Sequence, residues 1–395
     1  MKNVGTMSIG VRTGVIKEGD DLAQITVDSV LNACNELNLS IEDKDIIAIT
    51  EAVVSISMGN YASIDDIVKS LHSKVDTRHL GIVYPILSRN RFAVLLKAFA
   101  RSMDKLTILL SYPSDEVGND ILDKEKLIKS NIPLNNYVMT ESEYTKLFGD
   151  FKHIFTGVNM VDFYRDVCKE ENCEVEFVFS NDPEVILDYT DYVLCSDIHT
   201  RETTKTRITS KGGKTVLTLC DILNESINGS GYNSKYGLLG SNRSTEEKVK
   251  LFPENGEVLV NKIKQMIKDR TSKDVEVMIY GDGAFKDPVG KIWELADAVV
   301  SPAYTSGLEG SPNEIKLKYL SDNKYSNLKG EELNNAIKNE IRNKNKELTG
   351  NMSSQGTTPR RYTDLIGSLC DLTSGSGDKG TPVILIKNYF KNYSN

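Results

Sequence analysis

The sequence predicts a mixed α/β fold with a helix-rich insertion, and three observations support this. β-Branched apolar runs alternate with helical periodicity over the first 240 residues, as is typical of α/β proteins. Residues 241–355 are more charged and helix-prone, with Gly- and Ser-rich stretches before and after them. The chain of 395 residues is also too long for one ordinary core. We therefore predict an α/β core at 1–240, an insertion at 241–355 and a return to the core at 356–395.

The N-terminal elements follow from capping and periodicity. Asp20 and Asp21 precede apolar residues at helical spacing from Leu22 to Cys34, which predicts a helix. The run DIIAITEAVVSIS, residues 45–57, is β-branched and predicts a buried strand. Helices at IDDIVKSLHSKV and RFAVLLKAFARSM and a strand at LTILLSY complete this part of the pattern.

The alternation continues to the C-terminus. GVNMVDFYRDVCKE and PEVILDY predict helices, whereas CEVEFVFS, DYVLCSD and TVLTLCDIL predict strands. In the insertion, EVLVNKIKQMIKDR and EELNNAIKNEIRNKNKEL predict helices on either side of the strand DVEVMIYGDGAF. The last elements are a helix at TDLIGSLCDLT and a strand at VILI.

Composition excludes several classes of protein. A formal net charge of -8 argues against a nucleic-acid binder, which needs a concentrated basic surface. No apolar stretch approaches the roughly 18 residues of a membrane span, and no signal peptide is recognisable, so we expect a cytoplasmic protein. The six cysteines are scattered without a CxxC pair, which favours reduced thiols over a zinc site or a disulfide framework.

Two strand-end segments carry candidate chemistry. In LCSDIHTRE, residues 194–202, Asp197 follows an apolar strand at the place where α/β sheets hold ligands. Its carboxylate suits a divalent cation, and Arg201 suits a phosphate or carboxylate, while a surface ion-pair turn is the alternative. GDGAFKDPVG, residues 281–290, follows another strand. We interpret it first as a tight turn, and a ligand site is the second interpretation.

The glycine-rich segment SGSGDKGTP, residues 374–382, has two interpretations. It follows a helix and precedes a strand, which is the wrong order for a Walker loop. Its glycines can still turn several N–H groups toward one phosphate. The alternative is a helix C-cap followed by a mobile loop. A third polar segment, FTGVNMVDFYRD, is explained without a ligand if Asn159 caps a helix.

Taken in order, six segments resemble the coenzyme F420-0:L-glutamate ligase (gamma-glutamyl ligase) family: RTGVIKEGDDLA, DIIAITEAVVSISMGN, FTGVN, SDIHTR, TDLIGSL and SGSGDKGTP. The resemblance covers roughly residues 10–240 and 356–395, and the segments around Asn159 and Gly281 are similar to a longer bacterial branch. It implies a homodimer that joins the amine of L-glutamate to a carboxylate acceptor, the deazaflavin coenzyme precursor. It also implies GTP as co-substrate, divalent Mn or Mg, and activation of the carboxylate as an acyl phosphate.

The resemblance implies roles for individual residues. Asp197 stands at a metal-ligand position and Arg201 at the arginine after it, and these two are the implied catalytic residues. Asn159 and Asp162 stand at the other metal positions with their residue types exchanged, so we expect Asp162 to supply the charge that Asn159 lacks. The implied nucleotide-binding residues are Thr13, Gly14, Val15, Ile16, Gly375, Gly377, Lys379 and Gly380.

Three positions depart from the family pattern. Ile56 stands where a lysine is expected, and Lys379 and Lys17 are the candidates to supply that charge. Ile198 replaces a threonine and Ser376 an acidic residue, so neither provides a carboxylate to a second metal. We expect a GTP-dependent amide ligase, either with the family's acceptor or with a different one. The alternatives are a nucleotide- and metal-binding protein without turnover, and a nucleotide phosphohydrolase.

Overall fold

The computed structural model describes residues 3–154, 156–281, 285–286, 293–294, 301–348, 350–354, 361–374 and 378–394. The strands are β1 Met7–Val11, β2 Ile46–Thr50, β3 Tyr61–Ser63, β4 His79–Val83, β5 Lys105–Leu110, β6 Met139–Thr140, β7 Glu174–Phe179, β8 Tyr192–Cys195, β9 Thr215–Thr218, β10 Asn242–Thr245, β11 Lys248–Lys250, β12 Glu276–Tyr280, β13 Phe285–Lys286, β14 Trp293–Glu294, β15 Ala303–Tyr304 and β16 Val383–Lys387. The helices are α1 Leu22–Glu36, α2 Glu51–Met58, α3 Ile64–His72, α4 Phe92–Ser102, α5 Lys124–Ser130, α6 Glu141–Phe148, α7 Met160–Glu170, α8 Arg201–Ser210, α9 Gly256–Thr271, α10 Leu317–Tyr319, α11 Gly330–Arg342 and α12 Tyr362–Thr373. The predicted mixed α/β fold is confirmed.

A five-stranded sheet joins the two ends of the chain in the order β1-β16-β2-β12-β15. The four residues from Ile46 to Ile49 of β2 are fully buried, as expected of a strand with both faces covered. Helices α1 and α9 pack on one face, where Val30 and Ile263 meet the sheet, and α12 covers the other. This sheet therefore has an apolar core on both sides.

The second large sheet has six strands, in the order β6-β7-β5-β4-β8-β9. The five neighbouring strands β7, β5, β4, β8 and β9 run parallel to one another, and the edge strand β6 is antiparallel to β7. Helices α3, α4 and α7 belong to one apolar core, and α8 packs near β9 on the other side. The alternation of strand and helix read from the sequence is thus a doubly wound sheet.

A three-stranded sheet, β10-β11-β3, connects the two larger sheets. The turn between β10 and β11 carries Glu247, which lies between Lys97 and Arg101 of α4. These two cations lower the pKa of Glu247 to about 2. Arg101 also pairs with Glu171 at 2.8 Å, so the β10–β11 hairpin is tied to α4 and to the end of α7.

One predicted strand and the predicted insertion can be compared with the observed elements. The run 45–57 was predicted as one strand, but the strand ends at Thr50 and helix α2 begins at Glu51. The predicted domain boundaries, 1–240, 241–355 and 356–395, stay a prediction. Strand β12, within the predicted insertion 241–355, lies in the five-stranded sheet and pairs in parallel with β2. No helix among the described residues is both long and apolar enough to cross a membrane.

Candidate active site

Asp197 lies two residues after the end of β8 and is fully buried. Its Oδ2 accepts hydrogen bonds from the hydroxyl groups of Thr200 at 2.6 Å and Thr204 at 2.7 Å. Within the described part of the chain its buried Oδ1 has no hydrogen-bond partner. Burial raises the pKa of the Asp197 carboxyl, and the nearby charge of Glu116 raises it further, although the two threonine hydroxyls oppose this. Burial therefore disfavours the charged form of this carboxyl group relative to its form in water.

The turn between β8 and α8 is closed by Glu116. Its carboxylate accepts from the backbone N–H groups of Ile198 at 2.7 Å, His199 at 2.8 Å and Thr200 at 2.9 Å. The loop that carries Glu116 is fixed in turn by the buried carboxylate of Asp115, which also accepts backbone N–H groups. A carboxylate of the protein thus occupies the place where these amides would hold an anion.

Asn159 caps helix α7. Its Oδ1 accepts from the N–H groups of Val161 at 3.0 Å and Asp162 at 3.1 Å, and its amide donates to the Gly149 carbonyl at 2.9 Å. No hydrogen bond among the described residues joins Asn159 or Asp162 to Asp197. The assignment of Asn159, Asp162 and Asp197 to one metal site therefore stays a prediction. The described residues contain no group of three or more His, Cys, Asp or Glu side chains that could hold a metal ion.

Arg201 begins α8 but belongs to a different environment from Asp197. Its Nη1 donates to the carbonyl oxygen of Ile198. The side chain lines a cavity of about 650 Å³ together with Lys235, Arg361 and Asp364, and buried Asp197 is not part of that lining. The two implied catalytic residues, although four positions apart, therefore do not face one space.

The implied nucleotide residues near the N-terminus gather at the other sheet. We call this space the apolar cavity; its volume is about 360 Å³, and its lining is Thr13, Gly14, Val15, Ile16, Thr50, Ala52, Val53, Ile56, Tyr280, Ser374, Gly380, Thr381 and Pro382. The antiparallel register of β1 and β16 explains how such distant residues meet. Val11 at the end of β1 lies opposite Val383 at the start of β16, so the segments beyond them adjoin.

The remaining implied nucleotide residues are less well placed. Gly375 and Gly377, with Ser376 between them, lie outside the described residues, as does most of 281–290. Lys379 is exposed, does not line the apolar cavity, and accepts from Arg12 Nε at 3.2 Å through its carbonyl oxygen. Lys17 is also exposed and outside the lining. Neither lysine therefore brings a charge to Ile56, which is a wall of the cavity.

A second space adjoins the apolar cavity, and we call it the polar cavity. Its volume is about 530 Å³, and its lining is Thr50, Glu51, Ala52, Asn90, Asn242, Arg243, Ser244, Lys250, Tyr280, Gly281, Asp371 and Ser374. Four residues, Thr50, Ala52, Tyr280 and Ser374, belong to both linings. Thr50 and Tyr280 end the parallel strands β2 and β12, so the joined cavities form one cleft at the carboxyl edge of this sheet.

Glu51 and Lys250 form a buried ion pair in the polar cavity. The Lys250 ammonium donates to both carboxylate oxygens, at 2.8 and 2.9 Å, and the side chains are only 11% and 8% exposed for Lys250 and Glu51. Sequence reasoning missed both residues. The available signal was Glu51 itself, a single acid inside an apolar run, because a buried carboxylate requires a partner.

Comparison with known protein families decides the affiliation of the chain. A sequence model of the family described as F420-0:Gamma-glutamyl ligase matches residues 10–388. The chain belongs to this family. The match includes residues 241–355, where the resemblance seen in the sequence is limited to the segment around Gly281. A comparison with curated proteins finds no match.

Membership in the gamma-glutamyl ligase family implies an enzyme that forms a C–N bond. For such a chain the cleft at β2 and β12 differs in chemistry along its length. The apolar cavity offers aliphatic walls and glycine backbone, whereas the polar cavity offers amides, hydroxyl groups and paired charges. A ligand with one apolar end and one charged end matches this gradient.

Proposed function

We propose that this chain is a GTP-dependent gamma-glutamyl ligase whose nucleotide binds in the apolar cavity and whose reaction takes place in the polar cavity. The observation that carries this proposal is the union of the two cavities. The segment Thr13–Ile16, implied to bind nucleotide, lies beside Gly380 in one cavity, and that cavity shares four residues with a second one lined by charged side chains.

The apolar cavity suits the base and ribose. Val15 is 88% exposed, although it lines a cavity whose other walls include Val53 and Ile56. A flat base placed against these side chains would remove apolar surface from water. Gly14 and Gly380 carry no side chain, so backbone N–H groups can approach a phosphate closely there.

The proposed reaction has two steps. In the first, a carboxylate oxygen of the acceptor attacks the γ-phosphorus of GTP, the bond from phosphorus to the β,γ-bridging oxygen breaks, and GDP leaves. In the second, the amine nitrogen of L-glutamate attacks the acyl carbon of the acyl phosphate. The bond from that carbon to the phosphate oxygen breaks, phosphate leaves, and the nitrogen loses a proton. Both steps create negative charge on phosphate oxygens, which positioned cations stabilise.

The proposed substrates, assembly, location and metal are inferred from the family. We propose L-glutamate and a carboxylate acceptor as the small-molecule substrates, a homodimer as the assembly and the cytoplasm as the location. Divalent Mn or Mg belongs to the same proposal. No hydrogen bond among the described residues joins Asn159 or Asp162 to Asp197, so the proposal names no metal ligands.

The test is nucleotide turnover by the full chain. Purified protein with GTP or ATP and either MnCl₂ or MgCl₂ is assayed for phosphate release, with and without L-glutamate and a deazaflavin acceptor. Release that depends on both glutamate and acceptor supports the ligase. Release that is independent of glutamate supports a phosphohydrolase, and nucleotide binding without release supports a binding protein.

A pair of variants locates the nucleotide. Val15→Asp places a carboxylate on the wall of the apolar cavity, and we expect it to weaken GTP binding by more than tenfold. Val258→Asp is the control, because Val258 is 69% exposed on α9 and lines neither cavity. Equal GTP affinity of the two variants would place the nucleotide elsewhere.

A further inference from the structure

The cations of the cleft are confined to the polar cavity. Among the described lining residues, the apolar cavity has no lysine or arginine, and the polar cavity has Arg243 and Lys250. A nucleoside triphosphate carries about four negative charges, which proteins bind with arginine and lysine donors. If the base lies against Val15 and Ile56, the phosphate chain reaches these cations through Thr50 and Ser374, which both cavities share.

Lys250 is held in one position by Glu51. Two of its N–H groups point at the two Glu51 oxygens, at 2.8 and 2.9 Å. An ammonium group has three donors, so one remains for an oxygen in the cavity. Glu51 is the first residue of α2 and Lys250 the last of β11, so two elements fix the ammonium group. The pair is a preorganised donor, since little side-chain freedom remains to be lost when a ligand binds.

Arg243 adjoins this pair and keeps most of its hydrogen-bonding capacity. It lies on β10 opposite Val249, and it lines both the polar cavity and a neighbouring cavity that contains Lys97 and Glu246. The described ion pair of Arg243 is with Glu246 at 3.3 Å, and the side chains are 43% and 84% exposed. Such exposed pairs contribute little and are easily exchanged. The planar guanidinium is therefore available for two parallel hydrogen bonds to phosphate oxygens.

We propose that Arg243 and Lys250 bind the transferring phosphoryl group in the polar cavity, and that Glu51 is the positioning residue for Lys250. The inference rests on the proposed function. It also accounts for Ile56, because the positive charge near the phosphates comes from β10 and β11 in this chain and not from the end of α2. The β10–β11 hairpin carries both cations, and Glu247 ties it to α4.

The test compares two nucleotides that differ at the γ-position. Affinities for GDP and for the non-hydrolysable analogue GMPPNP are measured by calorimetry at fixed MgCl₂. We expect wild type to bind GMPPNP more tightly than GDP. Arg243→Gln should weaken GMPPNP about tenfold and change GDP less than twofold, and Arg243→Lys should recover part of the loss. Arg270→Gln is the matched control, because Arg270 on α9 is 39% exposed, pairs with Asp28 of α1 and lines neither cavity.

Lys250 requires a double variant, because Lys250→Met alone leaves the Glu51 carboxylate buried without its partner. Glu51→Gln/Lys250→Met replaces the ion pair by neutral groups, and its folding is checked by thermal denaturation. We expect the same selective loss of GMPPNP affinity.

The outcomes separate this inference from the proposed function. If wild type binds neither nucleotide, both are overturned. If wild type binds nucleotide and turns over GTP but Arg243→Gln and the double variant leave GMPPNP affinity unchanged, only the inference is overturned. A rise in the KM for L-glutamate at unchanged nucleotide affinity would also overturn it, because the polar cavity would then hold the amino acid.

Discussion

The carboxyl edges of the two large sheets differ in how their polar groups are satisfied. At β8 in the six-stranded sheet, Glu116 occupies the backbone amides of the turn, and two threonine hydroxyls bind Asp197. At β2 and β12 in the five-stranded sheet, the polar groups line a cleft of two joined cavities. Both edges place polar residues after buried strands, so the motif alone does not distinguish a closed edge from an open one.

The largest expected effect concerns the ion pair at the open edge. Glu51→Ala leaves the Lys250 ammonium buried without its carboxylate, and we expect the free energy of unfolding to fall by about 3–5 kcal/mol. The double variant Glu51→Ala/Lys250→Met should lose much less, because no unpaired charge remains. Chemical denaturation measures both. Glu246→Ala, which removes an exposed carboxylate, is the control, and a loss below 1 kcal/mol for Glu51→Ala would contradict the prediction.

The second-largest expected effect concerns Glu116, which closes the carboxyl edge at β8. Glu116→Ala removes the acceptor of three backbone N–H groups, and we expect about 2–3 kcal/mol of destabilisation. The vacated amides form an anion site, so inorganic phosphate should restore part of the stability in a concentration-dependent manner. Glu202→Ala serves as the control, because Glu202 is exposed at the start of α8, the helix that follows this turn. Equal responses of both variants to phosphate would show that no anion site is exposed.

Asp197→Asn separates a structural from a metal-binding carboxylate. Burial raises the pKa of Asp197 in the native state above the unfolded value of 3.8, so its ionisation costs wild type stability as the pH rises through the native pKa. The variant lacks this cost, and its stability relative to wild type should increase as the pH rises from 3.8 to the raised native pKa, by at most about 1.4 kcal/mol per pH unit. We expect GTP turnover to change less than threefold. Loss of turnover at retained stability would favour the metal-ligand assignment instead.

The smallest effect compares two glycines of the apolar cavity. Gly380 has a φ of 62°, in the left-handed region of backbone conformation. In Gly380→Ala, an alanine in this conformation is strained by about 1–2 kcal/mol, although the added Cβ would enter open space. Gly14 also faces open space and is not among the positive-φ glycines, so Gly14→Ala is the matched control. We expect a several-fold loss of GTP affinity in the first variant only. Equal affinities would show that the loop conformation at Gly380 does not matter for the nucleotide.

The sequence by itself determined the elements and the family. Asp21 caps α1 as its position before Leu22 predicted, and the helices α9 and α12 lie where their periodicity placed them. Helix α11 begins where predicted but ends at Arg342, before the predicted end at Leu348. Local sequence is sufficient here because capping and periodicity depend on near neighbours. The predicted strand 45–57 failed at Glu51, since β-branched residues favour a strand but the partner of this acid, Lys250, is 199 residues away.

Tertiary structure alone decided which polar strand end is open. The closed state of the β8 edge depends on Glu116, which is 82 residues before its first amide partner, and on the loop fixed by Asp115. The open cleft depends on the register of β1 with β16 and on a hairpin that brings Arg243 and Lys250 to the end of β2. Such contacts arise from the packing of distant segments, and no local pattern encodes them.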